Sequence, residues 1–219
     1  ARSGTFKKVV ESCQKHLTSI KVVLDFPVSD NIHREQERII DILKKVDINY
    51  QLRRRKENLG LVKSVVTTIR EELEEEDHVV LLEDDCVPSA EFFTFMADSI
   101  DKYRDDDEVV TICGTRTKCR FNPWGWGTWK GKWKYSHMSK KAILQIKNLD
   151  EGLTKFLKEN SVEDSIWSLS WLASLYKNNL ISIYPAKNTI KNIGFENECS
   201  VHDSEKGYTK WLLSQVLTD

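Results

Sequence analysis

The stretch that most constrains the fold is His78 to Cys86, H-V-V-L-L-E-D-D-C. Val79, Val80, Leu81 and Leu82 run directly into Glu83, Asp84 and Asp85. A short continuous apolar run reads as a strand covered on both faces, the kind found inside a parallel sheet. In open α/β sheets, ligands bind beyond the carboxyl ends of such strands. Carboxylates crowded there repel one another unless a cation lies between them. Mg2+ or Mn2+ fits, because hard cations take carboxylate oxygens together with the phosphates of a substrate. The competing reading is a solvated acidic turn. The apolar strand in front and the motifs downstream favour the cation site.

Around this strand the pattern alternates. The spacing of Phe6, Val9, Val10, Cys13 and Leu17 predicts a helix over 5–17. A β-branched run predicts a strand over 20–26, stopped by Pro27. Asn31 is the expected N-cap of a helix over 32–45, with Ile39, Ile42, Leu43 and Val46 facing in. A strand over 48–52, a helix over 61–73 with a solvated acidic end at 71–77, and the strand 79–82 follow. Ser89 is the expected cap of a helix to Tyr103, and 109–113 reads as another buried strand. Such alternation predicts an α/β domain with a mostly parallel central sheet flanked by helices. Helices are expected over 140–146, 150–158, 162–177 and 206–217, with a strand over 180–184 and a loop over 194–203. No linker divides the chain, so one domain of 219 residues is expected, long enough for a substantial core. A sheet of this kind normally opens with a strand before its first helix, and here that strand is missing.

Composition narrows the function. With 33 basic against 34 acidic residues, the charge gives no support for nucleic acid as a partner. The five cysteines are scattered, with no C-x-x-C pair or His/Cys cluster of the zinc type, and a reduced, cytoplasmic compartment is the simpler reading. No apolar run approaches the roughly 20 residues that span a bilayer. No signal peptide is visible, although the chain begins at Ala1 without a methionine.

Five further groups can carry chemistry. Asn58-Leu59-Gly60 lies between a strand and a helix, where backbone N–H groups face a ligand or simply start the helix. Asp25, at the end of an early strand, is placed to hold a base or ribose, or to face water. In Trp124-Gly125-Trp126-Gly127-Thr128-Trp129, the ring spacing of Trp126, Trp129 and Trp133 is helical and implies core. Trp124 and the two glycines precede that face and suit a sugar pocket. Glu163-Asp164 opens a helix: acids there favour the helix dipole, or Asp164 serves as a general base. His202, in a loop, is a surface residue or completes a Mn2+ site built from acids.

Together these motifs resemble the GT-A glycosyltransferases, bacterial family-2-like sugar transferases in particular and the animal N-acetylglucosaminyltransferase I group more distantly. The carrying residues are Asn58-Leu59-Gly60, Glu83-Asp84-Asp85-Cys86-Val87-Pro88 with Phe92-Phe93, and Trp124 to Trp129. Tyr184-Pro185, Asn188 and Asn192-Ile193-Gly194-Phe195 follow in the same order. The resemblance implies a nucleotide-diphosphate sugar donor, Mn2+ or Mg2+, and a glycan or glycolipid acceptor. A glycolipid acceptor would bring the chain to a membrane surface. It implies that Asp85 and His202 contact the metal, and that Arg2, Asp25, Asn58, Gly60, Lys63, Glu83 and Asp84 contact the donor. It makes Asp164 the base of an inverting reaction, and Trp124, Gly125 and Trp126 the acceptor or sugar pocket. Residues 1–113 form the donor half, and residues 114–219 the acceptor-binding and catalytic half. The chain departs from the pattern in its missing first strand, in Phe26 where glycine is common, and at Asn197-Glu198-Cys199. The competing readings are a metal-dependent nucleotidyltransferase, which usually needs a Gly-rich phosphate loop, and a catalytically silent sugar-binding protein of the same fold.

Overall fold

The structure is a computed structural model describing residues 2–161, 166–194 and 203–218, with backbone alone for 203–206. Its first half follows the expected alternation. Helix α1 (Ser3–Cys13) buries Phe6, Val9, Val10 and Cys13 along one face. Strand β1 (Ser19–Leu24) pairs in parallel with β2 (Asn49–Arg54), from Ser19↔Asn49 to Leu24↔Arg54. Between them runs α2 (Asp30–Leu43). Its cap is Ser29, not Asn31: the Ser29 hydroxyl accepts from the Ile32 amide at 3.3 Å. Val22 and Leu24 meet Phe6, Val10, Ile39 and Leu43 in a small core of their own.

Helix α3 (Gly60–Glu75) leads into β3 (His78–Leu81). The acidic end of α3 is not merely solvated. Glu72 is only 6% exposed and pairs with Lys21 of β1 at 2.6 Å and with Arg53 of β2 at 3.0 Å. Glu71 pairs with Arg53 and Arg55 at 2.7 and 2.6 Å. These charges fasten α3 to the small sheet.

The larger sheet has the order β3-β6-β5-β7, with β5 (Val109–Cys113), β6 (Trp126–Trp129) and β7 (Ile181–Ile183). β6 runs antiparallel to both β3 and β5, whereas β5 and β7 are parallel. Hence β3, β5 and β7 share one direction and β6 opposes them. The α/β class holds, with an antiparallel strand inserted in the expected parallel sheet. The helical reading of Trp126, Trp129 and Trp133 fails at β6. Gly127 pairs with Val80, and a Cβ on it would lie 3.0 Å from the Val79 carbonyl oxygen. Such close approach suits a strand built around glycine.

β5 is buried along its whole length, as expected. β3 is not covered on both faces: it alternates between exposed and half-buried positions, and Val80 is 38% exposed. The cause is its place at a sheet edge. Among the described residues nothing pairs with the outer edge of β3 or with the edge of β1 away from β2. Both sheets are open on these sides among the described residues.

Helix α4 (Ala90–Lys102) packs Phe92, Met96 and Ile100 into the main core beneath this sheet. Helices α5 (Lys140–Ile143), α6 (Glu151–Glu159), α7 (Trp167–Lys177) and α8 (Asp203–Gln215) belong to the second half. α7 is buried from Trp167 to Tyr176. Two strands of three residues each, β4 (Cys86–Pro88) and β8 (Ile190–Asn192), pair antiparallel and were not foreseen. No helix among the described residues is long and apolar enough to cross a membrane.

Candidate active site

β4 and β8 build the site. Cys86 faces Asn192, and the pairing continues through Val87↔Lys191 to Pro88↔Ile190. The Ile193 amide donates to the Asp85 carbonyl at 2.9 Å, so the chain beyond β8 lies directly over Asp85. Gly194 follows, its amide donating to Asn192 Oδ1 at 2.8 Å. A Cβ on Gly194 would sit 2.1 Å from Asp85 Oδ2. A side chain at position 194 would therefore force either the turn or the Asp85 carboxylate to shift.

Asp85 is 7% exposed, buried between this turn and the head of α1. The Arg2 guanidinium donates to Asp85 Oδ2 and lies 3.6 Å from Asp84 Oδ1. The Arg2 backbone amide donates to Asp84 Oδ2 at 2.8 Å. On the other oxygen, the Cys86 thiol donates to Asp85 Oδ1 at 3.4 Å. Burial pushes the Asp85 carboxyl above the usual carboxylate range, against the pull of Arg2 and with the push of Asp84. For Arg2, burial works against the charge, but Asp85 and Asp84 outweigh it and its pKa rises. Burial, with Glu83 and Asp85 beside it, pushes the Cys86 thiol well up.

Ligand atoms of Glu83, Asp85 and Cys86 lie within 4.8 Å of one another. A protonated, buried thiol is a poor partner for a hard ion, whereas the two carboxylates suit Mg2+ or Mn2+. The Arg2 guanidinium already shows that a cation is accommodated at Asp85. The donor set therefore fits a divalent ion held by Glu83 and Asp85.

The second expected group gathers at the end of β1. Asp25 accepts from the Leu59 amide through Oδ1 and from the Gly60 amide through Oδ2, both at 2.9 Å. Its side chain thus caps α3 from another element. Asn58 Nδ2 donates to the Phe26 carbonyl at 2.7 Å, and Gly60 takes φ +69° to turn into the helix. Phe26 is 46% exposed beside this turn, and Lys63 is exposed in the first turn of α3. The head of α1 is itself tied to α2 beside the acids. Ser3 donates through its amide and hydroxyl to Glu35 Oε2 of α2, at 3.0 and 2.7 Å, next to the Arg2 that holds Asp85.

The tryptophan motif behaves differently. Trp126 is fully buried, stacked on Trp167 with centroids 5.5 Å apart and edge-on to Phe121 at 5.1 Å. Its ring is a core side chain rather than a pocket wall. Trp124 is 7% exposed, and its amide donates to Asn122 Oδ1. Gly125 has φ +65°, and a Cβ there would lie 2.5 Å from Ile190 Cδ1. What approaches that glycine is protein, the Ile190 and Phe92 side chains. Asp164 and His202 lie outside the described residues.

Sequence reading found the acids and missed what closes over them. Arg2 was read as a donor contact, and its pairing with Asp84 and Asp85 was not foreseen. Gly194 was present only as part of a motif. The signal was its place two residues after Asn192, across a strand pair of three residues a side.

No protein-family model matches the chain, and no curated protein does. Among solved structures, the mannosyltransferase PcManGT from Pyrobaculum calidifontis, in complex with GDP-Man and Mn2+, superposes with a TM-score of 0.54. The match is 11% identical and covers 98% of this chain and 59% of that one. The fold is of the GT-A type. A putative glucose-1-phosphate thymidylyltransferase from Bacillus anthracis, in complex with sucrose, gives 0.45 at 9% identity, over 86% of this chain and 74% of its own. This chain spans 59% of the length of the mannosyltransferase it matches.

Proposed function

We propose that this chain is a metal-dependent glycosyltransferase domain. It moves a sugar from a nucleotide-diphosphate donor to a hydroxyl of a glycan or glycolipid acceptor, with inversion. The observation that carries this reading is the buried Asp85, gripped between Gly194 and a cationic side chain at the end of β3 in a GT-A-type fold. That the mannosyltransferase of similar fold holds GDP-Man and Mn2+ supports a nucleotide sugar and a divalent ion here. Residues 1–113 serve the donor and residues 114–219 the acceptor. We propose the cytoplasm as the site of the reaction, at a membrane surface where the acceptor is a glycolipid.

Glu83 and Asp85 would hold the ion, with His202 as a further contact. When bound, a divalent ion neutralises the diphosphate and eases its departure. Arg2 and Lys63 offer positive charge to the phosphates. Glu83 and Asp84 face the sugar and ribose. Asp25 holds the Asn58-Leu59-Gly60 turn in place by binding its amides, which positions this turn beside the exposed face of Phe26. Asp164 accepts the proton of the acceptor hydroxyl as that oxygen attacks the anomeric carbon. The new C–O bond forms on the face opposite the breaking bond to the diphosphate, and the nucleotide diphosphate leaves. Trp124 and Gly125 shape the acceptor side, while Trp126 supports Trp167 at the head of α7 from within the core.

The test is thermal stability against nucleotide diphosphates and nucleotide sugars, with and without Mn2+, for the wild type and Asp85→Ala. A ligand that binds only the folded state stabilises it by about 2.7 kcal/mol at a hundred times its Kd. The expected result is a Mn2+-dependent rise with one nucleotide family, lost in Asp85→Ala. Asp164→Asn should keep that rise and lose sugar transfer. Release of pyrophosphate in place of a nucleotide diphosphate would overturn the glycosyl-transfer reading, and wild-type turnover in Asp164→Asn would remove the base from Asp164.

A further inference from the structure

The geometry points to Arg2 as a built-in counter-cation that a divalent ion must displace from Asp85. The exchange presupposes that Asp85 is a metal ligand, as proposed above. Three observations lead to it. First, the Arg2 guanidinium donates to Asp85 Oδ2, the oxygen that Gly194 closes from the other side. Asp85 Oδ1 accepts from the Cys86 thiol. An ion reaching Oδ2 therefore arrives where the guanidinium lies. Two cations on one buried oxygen repel strongly where water is scarce, so one must leave.

Second, Arg2 is built to let its side chain leave while its backbone stays. Its amide is held by Asp84 Oδ2 at 2.8 Å, and its carbonyl accepts from the Phe6 amide and the Thr5 hydroxyl, both at 3.0 Å. Ser3, the next residue, is tied to Glu35 by two hydrogen bonds. The Arg2 side chain, by contrast, is 36% exposed, and its guanidinium is held by ion pairs to Asp84 and Asp85 that a competing cation can replace. Third, its neighbours on the site are acids, Asp84 and Asp85. Once an ion neutralises Asp85, the guanidinium has lost its strongest partner and is free to pair with an arriving phosphate, for which its planar fork is suited. Arg2 is thus a positioning residue: it keeps the acids together before the metal arrives, and it makes metal and diphosphate favour one another.

Mn2+ alone is the probe, measured as the loss of the free-ion EPR signal in a low-salt titration of the wild type, R2A and R2K. The expected result is that R2A binds Mn2+ tighter than the wild type, on the order of tenfold, because a competing charge is gone. R2K, which keeps the charge, should bind within a few-fold of the wild type. In the absence of metal R2A should melt lower, since Asp84 and Asp85 then repel without relief, and saturating Mn2+ should raise its melting temperature more than that of the wild type. Asp85→Ala should abolish binding in both backgrounds. Equal or weaker Mn2+ binding by R2A overturns the exchange and leaves the metal site standing. No Mn2+ binding by either protein overturns the metal site, and the exchange with it.

Discussion

Gly194 shows how one missing side chain makes the site. A methyl group there would fall 2.1 Å from Asp85 Oδ2, far inside contact distance, so either the turn after β8 or the carboxylate must move. Forcing extra volume into a packed position costs about 1–3 kcal/mol. Gly194→Ala should lower the unfolding free energy obtained from a urea titration by that amount and weaken Mn2+ binding, because Asp85 is the group displaced. Gly131→Ala is the control. Nothing lies within 4 Å of the position its Cβ would take, and surface substitutions of that kind stay within about 0.5 kcal/mol. Equal effects from the two substitutions would mean that Gly194 does not shape the acid site. Cys86 makes a related point at the same scale: a thiol that burial keeps protonated donates to Asp85 rather than competing with it for a hard ion.

Elements were legible in proportion to how locally they are determined. α1, α2, α3 and β5 could be read from periodicity because each buries one stripe or one run. β6 was misread because its tryptophans recur at helical spacing, whereas the structure sets the strand by pairing with β3 and β5 around a glycine. β4 and β8 carry too few residues to show alternation, and the partners lie about a hundred positions apart. The site divides the same way. The acids are contiguous and visible, whereas Arg2 meets Asp84 across 82 positions. The charged face of α3 was read as solvated because Lys21 and Arg53 come from two strands of another sheet and Arg55 from the residue after the second. That face gives a pH prediction. Hydrogen bonding to Arg55, then the charges of Arg55 and Arg53 against some burial, hold the Glu71 carboxyl below its ordinary 4.5. A lowered folded pKa adds stability above the unfolded value, and that stability is lost as pH falls through the folded one. Glu71 is 35% exposed, so solvent screening limits the effect to about 1 kcal/mol. Glu71→Gln should therefore be less stable than the wild type at pH 7, with the gap closing as pH falls below the ordinary 4.5 and through the lowered folded value. A gap that persists unchanged in acid would mean that shape, and not charge, fastens α3 to the small sheet.

At the scale of the whole molecule, two cores meet along an open line. The small core around Val22 and Leu24 and the large core around Ile112 and Trp126 share Leu82 and Phe93 as partly buried neighbours. Yet β1 and β3 do not pair, and each keeps a free edge among the described residues. Backbone parity says which groups face it. The carbonyls of Thr18 and Leu24 accept from Asn49 and Arg55, so even-numbered residues of β1 turn to β2 and Ser19, Lys21 and Val23 turn outward. The Asp77 carbonyl accepts from Lys130, so odd-numbered residues of β3 turn to β6 and His78 and Val80 turn outward. Unpaired strand edges are templates for another strand, and the site acids lie at the end of this one. Hydrogen exchange reads the edge directly, because protection follows the local cost of opening a bonded amide. The amides of Val79 and Val22 should exchange slowly and those of their neighbours Val80 and Lys21 quickly, while the amide of Ile112 in β5, flanked by strands on both sides, should be among the slowest. Strong protection at Val80 and Lys21 together would mean that a strand lies between β1 and β3 in solution, joining the two sheets into one. Protection at Val80 alone would mean that a partner covers β3 without bridging it. If both exchange freely, Asp85 sits at the end of an edge strand, and its position depends on Arg2, the β4–β8 pair and the turn at Gly194.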